Sequence, residues 1–177
     1  MNCARWRTLV LGALGAVLLP GCGEGGAPLA TVPYVELPRF MGAWYVIANI
    51  PTFIDRDAYN AVERYALQPD GTIATTFTFN RGAADGPQKR YTPVGFVLDT
   101  SSNARWGMRF VWPVKADYRI LYLTPDYSVT VVGRQARDYL WIMARTPRLD
   151  DAAWQAALAA ARAAGYDISR VHKVPQA

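Results

Sequence analysis

From residue 44 onward the chain divides into eight segments of strand length, separated by short turn-forming stretches, and this constrains its fold more than any other feature. The segments are 44–51, 59–67, 72–80, 89–98, 105–112, 118–124, 127–134 and 138–145. Gln68-Pro69-Asp70-Gly71 has the chemistry of a tight hairpin turn, and Asp99-Thr100-Ser101-Ser102-Asn103 that of a polar loop. Connections this short make sequential strands antiparallel, and an eight-stranded meander removes its two unpaired edges by closing on itself. The expected fold class is all-β: an eight-stranded antiparallel up-and-down β-barrel.

Beyond residue 145 the hydrophobic period changes. Asp150 and Asp151 stand where carboxylates cap a helix, Trp154, Leu158 and Ala161 fall on one face, and Gly165 stops it. One C-terminal α-helix is therefore expected on the outside of the barrel, with a short extra strand within 166–174.

The N-terminus sets the compartment. Arg5 and Arg7 precede an apolar run at 9–19, only 11 residues and too short to span a bilayer, so residues 1–21 read as an export signal. The run ends at Leu19-Pro20-Gly21-Cys22, which resembles the lipobox of bacterial lipoproteins, with Cys22 as the lipidated residue (palmitate). Acyl chains supply about 0.8 kcal/mol of anchoring per buried methylene, and more than one chain gives stable attachment. Gly23, where an aspartate would retain the protein, implies outer-membrane sorting, facing the periplasm. Residues 22–32 are expected to be a flexible tether and 33–177 the folded domain. With Cys3 removed and Cys22 modified, no thiol is left for a disulfide or a nucleophile.

Alternation assigns the barrel's inner wall. In the segment 105–112 the even positions Trp106, Met108, Phe110 and Trp112 are large and apolar, with Arg109 on the other face. The same logic turns Tyr118, Ile120 and Tyr122 inward, then Val46 and Ala48 on the first strand, and Tyr139, Trp141 and Met143 on the last. The fourth segment, with Pro93 and Gly95, has no clear phase. These positions are the candidate ligand-binding residues.

Three motifs are similar to those of a known family: Gly42-x-Trp44 after Leu37-Pro38-Arg39-Phe40-Met41, Asp126-Tyr127 after Pro125, and Arg145 closing the segment 139–147. The chain resembles the lipocalins, and among them the bacterial outer-membrane lipoproteins related to apolipoprotein D. Strand direction puts all three motifs at one end of the barrel. The resemblance implies a structural floor made by Gly42, Trp44, Asp126, Tyr127 and Arg145, with the arginine packed on the indole. It also implies an open cavity and a small hydrophobic ligand, such as a fatty acid or lysophospholipid, bound for storage or transport. A pigment or isoprenoid carrier (tetrapyrrole, carotenoid-like) is the alternative, and a lipid-modifying enzyme the less favoured one.

The opposite end is the mouth, where Arg56, Arg81, Lys89, Arg90, Lys115, Arg134 and Arg137 form a basic rim suited either to an anionic head group or to plain solvation. The expected protein is not an enzyme and has no cofactor and no metal: His172 is the only histidine, and Asp55, Asp57 and Asp85 read as loop charge. Removal of residues 1–21 lowers the net charge from +5 to +3, with no basic run, which argues against nucleic acid. The membrane is reached through the lipid anchor, and a homodimer is left open.

Overall fold

The structure, a computed structural model, describes residues 27–177. The expected signal segment and Cys22 lie outside the described residues. A short helix α1 (Leu37–Phe40) leads into β1 (Gly42–Ile50), β2 (Ala58–Leu67) and β3 (Thr72–Arg81). Two short strands, β4 (Gln88–Tyr91) and β5 (Val94–Val97), both pair with β3 and together make the fourth barrel strand. The break falls at Pro93, which has no N–H to give the ladder; its carbonyl still accepts from Thr75 N at 3.1 Å. Strands β6 (Arg105–Val111), β7 (Val114–Leu123), β8 (Val129–Gly133) and β9 (Leu140–Ala144) follow, and β9 pairs back onto β1. The barrel is closed, eight-stranded and antiparallel throughout, so no long edge is left unpaired.

Helix α2 (Asp151–Ala163) packs outside. Its N-cap is Asp150, whose side chain accepts from Ala153 N at 2.8 Å. Ala157 and Ala161 are fully buried, and Trp154 and Leu158 complete the docked face. The expected final strand shrinks to a 3-10 turn (Ile168–Arg170) and the two-residue β10 (His172–Lys173), which adds to β1.

Two apolar clusters result, one on each side of the wall. Phe40, Trp44, Tyr65, Phe79, Trp106 and Ile120 belong to the cluster inside the barrel. Ile47, Ile50, Val131, Ile142 and Ala157 belong to the other, between the wall and α2. Residues 27–32, expected to be the end of the tether, lie against the barrel: Leu29 is buried in the outer cluster and Val32 N donates to Ile120 O at 2.9 Å. An apolar side chain there gains more from burial than the segment gains from freedom.

Two of the inward assignments fail at a bulge. The β1–β9 register shifts between Val46 and Ala48, so Ala48 joins Ile47 in the outer cluster rather than lining the barrel. The β7–β8 register shifts between Ile120 and Tyr122, and Tyr122 likewise faces the α2 side. An extra residue in one strand exchanges the faces of everything beyond it.

Candidate functional site

The floor is built by groups brought together from four places in the chain. Gly42 opens β1 at φ +94°, in the left-handed region that favours glycine. Trp44 is fully buried and donates its indole N–H to Phe40 O at 2.8 Å. The Arg145 guanidinium carbon stands 3.8 Å from the Trp44 ring centroid. Its Nη1 donates to Ala43 O at 2.8 Å, Nη2 to Arg39 O at 2.8 Å, and Nε to Tyr127 O at 3.3 Å. Asp126 accepts from Ser128 N and Oγ to shape the β7–β8 turn, while the Tyr127 hydroxyl accepts from Glu36 N at 2.8 Å. These interactions are spent on main-chain groups and a ring face, which is the work of a plug.

Above the floor lies a cavity of about 230 Å³, open at the mouth and mostly apolar. Of the expected wall residues, Met108, Phe110, Tyr118, Tyr139 and Trp141 line it. Val46, Trp106 and Ile120 also point into the barrel but are packed within its lower core; Trp106 stacks on Tyr118 with ring centroids 5.0 Å apart. Trp112 is outside the cavity and 79% exposed. Strand β6 ends at Val111, and Trp112 stands beyond it in the exposed hairpin tip, where alternation has no wall to point into. The fourth strand's phase is now visible: Tyr91 and Val97 pack on the inner cluster, while Phe96 faces out beneath Arg109 and Lys115.

Two residues of the basic rim are engaged away from the cavity. Arg137 donates to Ala164 O at 2.8 Å and so fastens the end of α2, and Lys115 lies over Phe96 on the outer surface. Arg134 alone among the seven lines the cavity, paired with Asp138 at 3.2 Å. Its Nε is buried with no partner among the described residues.

Three acids line the cavity and had no place among the candidates: Asp55, Glu63 and Asp117, the last accepting from Arg119 Nε at 2.9 Å. Asp55 is 3% exposed and holds the β1–β2 loop against the mouth, accepting from Thr52 N at 2.6 Å, Asn49 Nδ2 at 2.9 Å and Trp141 Nε1 at 3.1 Å. Glu63 is deeper, register partner of Trp44, and also lines the cavity. It accepts from the Tyr65 hydroxyl, which lies 2.8 Å from the Tyr118 hydroxyl. Burial, and then the negative charge of Asp55, push the Glu63 carboxyl from its ordinary 4.5 to about 8. Burial first, and then Glu63, raise the Tyr118 phenol well above 10.0. Alternation through Ala61, Glu63 and Tyr65 would have put Glu63 inside.

A family model, the Lipocalin-like domain, matches residues 35–176. Temperature-induced lipocalin-1 of Arabidopsis thaliana is 32% identical over 160 residues, covering 84% of this chain and 83% of its own. Outer membrane lipoprotein Blc of Escherichia coli is 28% identical over 172 residues, covering 95% and 96%. Among solved structures, insecticyanin of the tobacco hornworm Manduca sexta superposes with a TM-score of 0.66 at 15% identity, covering 85% of this chain and 86% of its own.

Proposed function

From the premise that the chain belongs to the lipocalin family, which the match over residues 35–176 shows, we propose that it binds fatty acids or lysophospholipids in the barrel and stores or carries them at the outer membrane. The observation that carries this reading is the apolar cavity, with Phe110, Phe77 and Trp141 on its walls. An acyl chain entering there buries apolar surface at roughly 25 cal/mol per Å², while its head group remains near Arg134. The similarity to outer membrane lipoprotein Blc over nearly the whole of both chains supports the anchored location.

Anchoring rests on Cys22. Cys22→Ser should move the protein from the membrane to the soluble fraction or leave it unprocessed; membrane attachment with normal processing in this variant would overturn the lipid anchor. Ligand class is read by denaturing extraction of the purified protein and mass spectrometry of what it carries. Acyl lipids in stoichiometric amount support the proposal, and a coloured compound would replace it with the pigment-carrier alternative.

A further inference from the structure

We propose that the deep end of the cavity recognises a hydrogen-bond-accepting oxygen, of carbonyl type, at the far end of the bound ligand, with Glu63 as the donor and Tyr65 and Tyr118 as its positioning residues. This rests on the reading of the cavity as a site for an elongated apolar ligand.

The geometry gives the hydrogen bonds one direction. Each phenol has a single proton. Tyr65 donates its own to Glu63 Oε2, so Tyr118 must donate to Tyr65 across their 2.8 Å contact. The relay therefore ends on Glu63, which lines the cavity and makes no hydrogen bond through Oε1 among the described residues. The surroundings of Glu63 keep it an acid. From the β1–β2 loop it meets Asp55, from its own strand Tyr65, and from β7 Tyr118; Asp117 on β7 is turned to Arg119 and Gln135. Beyond β8, Arg134 is occupied by Asp138 and the Tyr139 ring. Strands β3 and β6 present only Phe77, Met108 and Phe110. Burial and Asp55 are what shift Glu63, and no cation counters them.

A carboxylic acid with an uncommitted proton in an apolar cavity is a donor without an acceptor. A ligand ending in a methyl group leaves that proton unpaired and also strips water from it. A ligand ending in a carbonyl pairs it. Glu63 lies level with Trp44 at the floor while the opening is at the other end, so the oxygen must be on the part of the ligand that enters first.

Dodecanoic acid and 11-oxododecanoic acid share the outer carboxylate and differ at the far end. Binding of each is followed through Trp141, which lines the cavity. At about pH 6 the oxo acid should bind about tenfold tighter, the advantage of one satisfied buried hydrogen bond. The advantage should vanish as pH passes through about 8, where Glu63 ionises. Glu63→Gln keeps a donor and should keep the advantage at both pH values; Glu63→Leu should abolish it while dodecanoic acid still binds. Equal affinities for the two acids at about pH 6, an advantage that survives Glu63→Leu, or one that grows above pH 8 would each overturn the proposal. Failure of the protein to bind either acid would overturn the lipid-binding reading itself, and this one with it.

Discussion

Arg145 stands over Trp44, its guanidinium carbon 3.8 Å from the indole centroid, although the two are 101 positions apart in the chain. The cation closes the barrel from beneath and reaches four main-chain carbonyls in doing so, those of Arg39, Phe40, Ala43 and Tyr127. Trp44→Ala should cost about 3–5 kcal/mol through the lost ring. Arg145→Ala should be destabilising as well, and the double variant should lose less than the two singles together, by about 1 kcal/mol. Urea denaturation of the four proteins measures this coupling, and additive losses would contradict the stacked geometry.

Glu63 makes stability depend on pH in an unusual sense for a carboxylate. Its folded pKa of about 8 exceeds the ordinary 4.5, so the folded state holds the proton more tightly than the unfolded one. Stability from this group is therefore whole below pH 4.5, falls between 4.5 and 8, and is lowest above 8. Glu63→Gln should stabilise the protein at pH 8 by about 4 kcal/mol and by almost nothing at about pH 4. A gain of the same size at both pH values would show that the charge is not responsible.

The wall of β8 meets the end of α2 without clearance. A Cβ added at Gly133 would overlap the Tyr166 hydroxyl and come within 2.8 Å of Leu121 Cδ1. That hydroxyl accepts from Arg134 N at 2.7 Å and donates to Arg134 O at 3.0 Å. Gly133→Ala should cost about 1–3 kcal/mol by overpacking. Tyr166→Phe should cost about 1–2 kcal/mol by stranding the Arg134 main chain. Thermal melts of both variants check this.

Binding should follow the cavity lining rather than hydrophobicity. Phe110→Ala and Trp141→Ala should each weaken dodecanoate by about 1–3 kcal/mol through lost apolar contact. Trp112→Ala should leave affinity and stability within about 0.5 kcal/mol of the parent, because the ring is 79% exposed and outside the cavity. Isothermal titration of the three variants tests it, and a large loss at Trp112 would mean that the hairpin tip folds over the bound ligand.

The barrel was written in the sequence because the forces that choose it are local. Short turns such as Gln68-Pro69-Asp70-Gly71 fix the antiparallel order, and the alternation of Trp106 with Met108, or of Tyr139 with Trp141, marks a wall that has only two faces. The floor was legible for a related reason: strand direction alone carries Trp44, Tyr127 and Arg145 to the same end. Alternation fails where the period of two is interrupted. The bulges beside Ala48 and Tyr122 exchange inside for outside, and they arise from how neighbouring strands fit around a closed circumference, which no single strand encodes. Trp112 alternates in phase and still points to solvent, since only the assembled barrel determines where its wall ends. The state of Glu63 is the most distant from sequence. Its spacing from Tyr65 turns it inward, but the proton it retains is set by burial among β3, β6 and β7 and by the charge of Asp55, groups that meet only when the barrel closes.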